Sequence, residues 1–237
     1  MLAELHQNVI VTGAGSGLGA ALTAQLASQG YHVAALSRSA DKLERLVTQY
    51  KRVTPFVVDL SCEEEVSQVF SKLATWEAPF TKVFCCAGSG QFGPLASYNQ
   101  STIQHMVNDN LLSMMLVAQA AIGLMRNHNK DTNGALIHVM SSAAQVGKAN
   151  ETVYCAMKWG CRGFTEALRV ELSGTNIQVV GVYPSGMQTA FWQNNAVAHD
   201  QYEQYMHPDE VAKIILLNLQ EMDSCYTADI VINKIKR

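Results

Sequence analysis

The sequence has few of the patterns that mark nucleic-acid and metal sites. Its 237 residues carry 17 Lys and Arg against 20 Asp and Glu, and no basic block is present that could follow a phosphate backbone. We therefore expect no nucleic-acid partner. The six cysteines show no C-x-x-C spacing, so we predict free and mostly buried thiols and no metal site.

Long apolar runs are missing as well. No stretch approaches the roughly 20 apolar residues that cross a bilayer, and Met1 to Asn8 lacks the basic start and apolar core of a secretory signal. These absences predict a cytoplasmic protein without a membrane partner. With 48% apolar residues the chain can bury a sizeable core, and we predict one domain, residues 1–237.

Short apolar runs alternate with helical patterns along the chain, which predicts a parallel sheet covered on both faces by helices. The predicted strands are Val9–Thr12, His32–Ser37, Arg52–Asp59, Lys82–Ala87, Ala135–Ser141, Ile177–Tyr183 and Asp229–Ile232. After a first helix that reaches Gln29, the predicted helices are Asp41–Lys51, Glu63–Thr75, Gln100–Arg126, Thr152–Ser173 and Pro208–Met222. The fold class is therefore α/β, with a doubly wound sheet of about seven strands.

The first predicted strand runs into a glycine-rich turn. The turn reads Thr-Gly-Ala-Gly-Ser-Gly-Leu-Gly over residues 12–19, and a helical pattern follows it. A strand, glycine turn and helix present backbone N–H groups and the positive end of a helix dipole to an anion. The turn therefore predicts a dinucleotide site, although a flexible turn alone would give the same spacing.

Tyr154 and Lys158 lie one helical turn apart in the predicted helix Thr152–Ser173. An i, i+4 pair shares one helix face, and a nearby positive charge lowers the pKa of a phenol. We therefore expect Lys158 to lower the pKa of Tyr154, which would make Tyr154 a proton donor and acceptor. An isolated pair of this kind is more often an aromatic anchor beside a solvated charge.

Together these motifs resemble the short-chain dehydrogenase/reductase family over nearly the whole chain. The glycine turn fits T-G-x-x-x-G-x-G, and Tyr154 and Lys158 fit Y-x-x-x-K. The resemblance implies a single-domain Rossmann fold and a catalytic set of Asn110, Ser142, Tyr154 and Lys158.

The catalytic serine has two candidates. Alignment from the strand side selects Ser142, whereas the family's usual serine-to-tyrosine separation selects Ser141. We prefer Ser142, because losing one residue from the following loop is easier than a strand slip that reverses every side chain.

The same resemblance implies the cofactor contacts and shows two departures. The family's Asn-Asn-Ala-Gly is Cys85-Cys86-Ala87-Gly88 here, which puts the bracing between sheet and loop in doubt, and its Pro-Gly is Pro184-Ser185. The implied contacts are Gly13, Ser16, Gly17, Leu18, Gly19, Ser37, Arg38, Asp59, Leu60, Ala87, Gly88, Tyr154, Lys158, Pro184, Met187 and Thr189.

The end of the second strand indicates which cofactor is bound. An acidic residue there would repel the 2′-phosphate of NADP(H), but the chain reads Ser37-Arg38-Ser39. A guanidinium can bind a phosphate through two hydrogen bonds. We therefore favour NADP(H) over NAD(H); the alternative has Arg38 in solvent and Asp41 as the ribose ligand.

These observations predict an NADP(H)-dependent oxidoreductase that interconverts a carbonyl compound and a secondary alcohol, with Tyr154 as general acid and base. The alternative is a non-enzymatic NADP(H)-binding protein that reports redox state, which would not need the four catalytic residues together. The aromatic and polar run Thr189–His207 is a candidate substrate lid, or an ordinary surface segment. The family resemblance also implies a homodimer or homotetramer.

Overall fold

The computed structural model of the protein describes residues 7–129, 132–192, 202–220 and 225–235. Its strands form one parallel sheet in the order β3-β2-β1-β4-β5-β6-β7, which confirms the predicted fold class. The strands are β1 Asn8–Thr12, β2 His32–Ser37, β3 Val53–Val57, β4 Phe80–Cys85, β5 Gly134–Val139, β6 Ile177–Pro184 and β7 Asp229–Ile232.

Seven α-helices surround the sheet in the described part of the chain. They are α1 Gly17–Ser28, α2 Ala40–Gln49, α3 Glu63–Leu73, α4 Gln100–Val107, α5 Ser113–His128, α6 Thr152–Glu171 and α7 Pro208–Asn218. The predicted last helix extended to Met222, which lies outside the described residues. The predicted helix Gln100–Arg126 is divided by a turn of π-helix, Asn108–Leu112.

Alternate side chains of each strand enter two separate cores. On β1, Ile10 packs with helices α3, α5 and α6, whereas Val9 and Val11 pack with α1, α2 and α7. Because both faces of the sheet are covered, central strands are buried on both sides, as in β1 and β4, where every residue is buried. The edge strand β3 is half exposed and accommodates Pro55, which cannot donate a ladder hydrogen bond.

The segment Gln100–His128, which spans α4, the π turn and α5, is long and apolar enough to cross a membrane by length and composition alone. The segment contains no uninterrupted apolar run of that length, so the sequence did not predict that it could span a membrane. Its side chains Met114, Val117 and Ala121 pack into the core against the sheet, which is the behaviour of a core helix.

The order of the strands places a crevice between β1 and β4. The chain continues from β1 to β2 on one side, whereas β4 lies on the other side of β1. At such a switch point the loops after neighbouring strands diverge, and ligands of open α/β sheets bind there. The glycine turn, Ala87 and Gly88 all follow strands that end at this crevice.

Candidate functional site

The glycine turn is held close to the end of β4. Gly13 has φ +64°, and a Cβ there would lie 2.9 Å from the backbone N of Ala87. A Cβ on Gly19 would lie 2.3 Å from the carbonyl oxygen of Gly13. Both positions therefore require glycine, which keeps the backbone N–H groups at the start of α1 close to the crevice.

Thr12 braces the loop in which the family's asparagines are absent. Its Oγ1 accepts hydrogen bonds from the backbone N–H groups of Cys86 and Ala87, at 3.0 and 3.1 Å. The doubt that Cys85-Cys86 raised about this bracing is therefore answered, because Thr12 bonds the main chain directly. Burial raises the pKa of the Cys85 thiol to about 12, so this thiol is unreactive at neutral pH.

All six cysteines are free. Cys85, Cys155 and Cys161 are buried as predicted, but Cys225 is exposed and the remaining two are half-buried. Among the described residues, no group of three or more His, Cys, Asp or Glu side chains could hold a metal ion.

The nucleotide end of the crevice is a polar cavity of about 210 Å³. Its lining joins residues from four successive loops: Gly13 and Ser16, then Ser37 and Arg38, then Asp59 and Leu60, and finally Ala87 and Gly88. Two hydrogen bonds from Ser61 hold the pKa of Asp59 below its ordinary value, so this carboxylate stays ionised. Among the other predicted contacts, Thr189 approaches Gly17, with its methyl 3.1 Å from where a Cβ on Gly17 would be.

Arg38 lines this cavity together with Asp109. Asp109 was not among the predicted site residues. The two guanidinium nitrogens donate to the two carboxylate oxygens at 3.0 and 3.2 Å. The Arg38 side chain is 61% exposed and that of Asp109 16%. The Arg38 side chain is therefore largely exposed to solvent while it pairs with Asp109. Asp41, its rival, lies in the first turn of α2 and is not part of the cavity lining.

Asn110 lies in the π turn and is fully buried. Its Nδ2 donates to the carbonyl oxygens of Ser89 and Met106 at 2.8 and 2.9 Å, but its Oδ1 has no hydrogen-bond partner. A Cβ on Gly88 would lie 2.8 Å from that oxygen and 3.3 Å from the Lys158 Nζ. The asparagine and the lysine therefore meet at one point of the crevice.

Lys158 and Tyr154 share the buried face of α6, as their spacing predicted. They are 4% and 7% exposed, and the ammonium lies 5.6 Å from the centre of the phenol ring. Burial lowers the pKa of Lys158, whereas the neighbouring thiols Cys161 and Cys86 raise it. In the described part of the chain, the Lys158 Nζ donates no hydrogen bond to protein.

The expected lowering of the Tyr154 pKa by Lys158 is wrong. Burial raises the pKa of Tyr154 well above its ordinary value; a hydrogen bond with Ser141 acts against this, and the charge of Glu151 adds to it. Because the phenol is buried, desolvation disfavours its anion and is the largest cause of the raised pKa. Tyr154 is therefore protonated at neutral pH.

The structure places Ser141, and not Ser142, beside Tyr154. The Ser141 side chain lies close enough to the phenol to lower its pKa, and its Oγ accepts a hydrogen bond from the Ala143 N–H at 3.1 Å. The Ser142 Oγ instead accepts from Lys148 Nζ at 3.0 Å. The preference for Ser142 therefore stays a prediction that this arrangement does not favour. It assumed that β5 continues to residue 141, but the strand ends at Val139 and Ser141 begins a 3-10 turn over Ser142–Ala144.

Aromatic side chains surround the outer side of Tyr154. Phe92 and Phe191 lie with ring centres 5.4 and 5.6 Å from the Tyr154 ring. Phe191 and Trp192 belong to the predicted lid, of which residues 193–201 lie outside the described residues. Phe92 stands in the loop after β4 and has no sequence signal that marks it as a site residue.

The other predicted contacts lie along the same edge of the sheet. Pro184 ends β6, and Met187 pairs with Met206 through a β-bridge. Ser185, which replaces the family's glycine, donates from its backbone N to the carbonyl of Ile232 at 2.9 Å. Leu18 is buried in the first turn of α1.

The residues of the crevice fit a nicotinamide dinucleotide. The unpaired Asn110 Oδ1 and the Lys158 ammonium face the same space at Gly88, where sugar hydroxyls could satisfy both. The glycine turn supplies backbone donors for a pyrophosphate. This donor set matches the chemistry of the cofactor that the sequence predicted.

Comparisons with known proteins identify the family of the chain. The family model for short chain dehydrogenase matches residues 7–200. A putative short chain dehydrogenase/reductase family oxidoreductase from Aeromonas hydrophila is 37% identical, with a TM-score of 0.79 over 97% of this chain and 100% of the other.

Two further relatives extend the comparison. The 3-ketodihydrosphingosine reductase TSC10 of Yarrowia lipolytica is 29% identical over 95% of this chain, which spans only 65% of that reductase. An alcohol dehydrogenase from Thermococcus sibiricus, crystallised with 5-hydroxy-NADP, is 21% identical; its fold matches with a TM-score of 0.86 over 98% of both chains. The protein therefore belongs to the short-chain dehydrogenase family of oxidoreductases.

Proposed function

We propose that the protein catalyses NADP(H)-dependent interconversion of a carbonyl compound and a secondary alcohol, with Tyr154 as the proton donor and acceptor. The observation that carries this proposal is the position of the buried Tyr154, which lies beside Ser141 and on the same helix face as the buried Lys158. A phenol in that position can hand its proton to a substrate oxygen in the same crevice.

Tyr154 is suited to reduction. Because burial raises its pKa, the phenol is protonated at neutral pH and can donate to the oxygen of a carbonyl group. The Ser141 hydroxyl would donate a second hydrogen bond to that oxygen and stabilise the negative charge that develops on it. The bound nicotinamide would supply the hydride to the carbonyl carbon.

Lys158 and Asn110 serve binding and proton return. The Lys158 ammonium would hydrogen-bond the ribose hydroxyls of the nicotinamide nucleotide, and its charge would stabilise transient phenolate. The buried Asn110 Oδ1 would hold the next member of a chain that carries a proton back to Tyr154. Both residues are buried, so these hydrogen bonds would form in a water-poor site where they are strong.

NADP(H) is the proposed cofactor, because Arg38 extends over the nucleotide end of the crevice. A 2′-phosphate could replace the Asp109 carboxylate as the bidentate partner of the guanidinium. The Thermococcus relative, whose structure contains an NADP derivative, supports this assignment by analogy of fold.

The direct test replaces Tyr154 with Phe, which removes only the phenol oxygen. We expect kcat to fall by at least about 10³-fold in a screen of aldehydes and ketones followed by NADPH absorbance, with NADPH affinity within about threefold of the wild type. Tyr50→Phe is the matched control, since Tyr50 lies at the end of α2. Wild-type turnover by the Tyr154→Phe variant would remove Tyr154 from the mechanism.

A non-enzymatic NADP(H)-binding protein is the second candidate, because a crevice that fits the dinucleotide is common to both functions. The same screen separates the two functions. NADPH binding without turnover of any carbonyl compound or alcohol would support the sensor, whereas turnover that depends on Tyr154 supports the enzyme.

A further inference from the structure

Four aromatic side chains form a connected wall on the substrate side of Tyr154. We call Phe92, Phe191, Trp192 and Tyr205 the aromatic wall. Ring centres within the wall are 5.2 Å apart for Phe191 and Trp192, 5.4 Å for Phe92 and Trp192, and 4.9 Å for Trp192 and Tyr205. Two of its members, Phe92 and Phe191, pack against the Tyr154 ring itself, so the wall lies next to the proposed proton donor.

The wall presents mostly carbon rather than hydrogen-bonding atoms. The only polar atom of the Trp192 ring, Nε1, already donates to the Met187 carbonyl at 2.9 Å. Phe92 and Phe191 have no polar side-chain atom, and the rest of the surrounding cluster is Ala143 and Cys155. A sugar hydroxyl or a phosphate placed against these rings would lose its hydrogen bonds to water and gain none.

Two glycines allow rings of the wall to pack directly against the main chain. A Cβ on Gly90 would lie 2.4 Å from the Phe191 Cζ, and one on Gly186 would lie 2.8 Å from Tyr205. The loop after β4 and the loop after β6 therefore admit these rings only because both positions lack a side chain. The wall therefore packs against the main chain on both sides of the crevice.

We infer that the substrate is an uncharged carbonyl compound with an aromatic ring, or a comparably flat apolar group, on or next to its carbonyl carbon. The ring would stack against the wall in offset or edge-to-face contacts, which aromatic pairs prefer at centre distances of about 4.5–7 Å. The carbonyl oxygen would then face Ser141 and Tyr154. This inference rests on the proposed oxidoreductase function and narrows it.

The reaction with such a substrate balances with the groups already named. The carbonyl carbon gains a hydride and its C=O π bond breaks, while the oxygen takes the Tyr154 proton and becomes a hydroxyl. The ketone is reduced to a secondary alcohol, and NADPH is oxidised to NADP⁺. Solvent returns one proton to Tyr154.

The test compares two ketones with the same reacting group, 1-phenyl-1,2-propanedione and 2,3-butanedione, and a polar ketone, dihydroxyacetone. We expect kcat/KM for the phenyl diketone to exceed that for butanedione by about 10-fold or more, the usual effect of one apolar group in a fitted pocket. Dihydroxyacetone should be the poorest of the three.

Phe191→Leu tests whether the wall causes the preference. Leu keeps an apolar side chain but removes the ring, so the ratio of kcat/KM for the phenyl diketone to kcat/KM for butanedione should fall about fivefold. Tyr226→Leu is the control, because Tyr226 is an exposed aromatic residue before β7. Thermal melts identify any variant that has lost its fold.

A binding measurement gives an independent readout. Calorimetry measures binding without turnover. The Kd of the phenyl diketone should rise several-fold in the Phe191→Leu variant but not in the Tyr226→Leu variant. Equal kcat/KM for the two diketones, or a ratio unaffected by Phe191→Leu, overturns the substrate class and leaves the oxidoreductase in place. If no ketone in a broad panel is turned over with either nucleotide, the proposed function fails as well.

Discussion

The two halves of the crevice use opposite physical chemistry. The nucleotide half is polar, open and charged, with Arg38 61% exposed above the cavity. The catalytic half is apolar and nearly closed, with Tyr154 only 7% exposed behind the aromatic wall. Water screens charges in the first half, whereas removal from water dominates the energetics of the second. Substitutions of comparable size in the two halves of the crevice should therefore change activity by unequal amounts.

The titratable groups of the two halves follow this division. Hydrogen bonds from Ser61 lower the pKa of Asp59 and keep it ionised at the nucleotide end. Burial raises the pKa of Tyr154 and keeps it protonated at the catalytic end. One crevice thus holds a fixed anion and a proton donor at the same pH, and their environments set those two states.

The largest effect in this comparison is expected for the serine of the catalytic half. Ser141→Ala removes the hydroxyl that bonds Tyr154, so kcat/KM should fall about 10²-fold. Ser142→Ala removes only an acceptor of the Lys148 ammonium and should stay within about threefold of the wild type. Steady-state kinetics with one ketone decide between them. A larger loss of kcat/KM for Ser142→Ala than for Ser141→Ala would restore the Ser142 assignment and contradict this division of the crevice.

A smaller effect is expected when the nucleotide half loses its cation. Arg38→Gln removes the proposed ligand of the 2′-phosphate, and the preference for NADPH over NADH in kcat/KM should fall about 10-fold. The partly exposed position limits the effect, because water screens the charge. Lys72→Gln is the matched control, since Lys72 lies in the last turn of α3, away from the cavity lining. An unchanged ratio would contradict the role of Arg38.

The carboxylate that pairs with Arg38 should have a still smaller effect, of opposite sign. Asp109→Asn removes a negative charge that competes with a 2′-phosphate for the guanidinium, so the Kd of NADPH should decrease about threefold with little change for NADH. Asp41→Asn removes the same charge from α2 and serves as control. Weaker NADPH binding by the Asp109→Asn variant would mean that Asp109 holds Arg38 in place and does not oppose the phosphate.

The sequence predicted the parts of both halves that depend on local patterns. The apolar runs of β1 and β4 identified buried strands, and the spacing of Tyr154 and Lys158 placed both on one helix face. The glycine turn predicted a close backbone approach, which Gly13 shows at Ala87. These features depend on the period of a helix or strand and on the lack of a side chain, and both can be read from consecutive residues.

Contacts between distant segments could not be predicted in this way. The Arg38–Asp109 pair joins residues 71 positions apart, and Phe92 meets Phe191 only because two loops converge. The π turn at Asn108–Leu112 follows no helical period that the sequence displays. The predicted end of β5 was displaced by two residues, and that displacement decided the choice between Ser141 and Ser142. Site details therefore depend on packing that a single chain segment does not encode.

The pH dependence of ketone reduction should be the smallest effect, and its contrast with alcohol oxidation tests the catalytic half most directly. Reduction needs protonated Tyr154 and is lost as pH rises through its pKa; because burial raises that pKa, kcat/KM for ketone reduction should stay within about twofold from about pH 6 to about pH 9. Alcohol oxidation needs the deprotonated phenol, so its kcat/KM should instead rise with pH through the same range. Both profiles are measured at saturating cofactor with one ketone and its alcohol. A fall in reduction between about pH 7 and about pH 8 would mean that the pKa of the phenol is lowered, as the charge of Lys158 alone would make it.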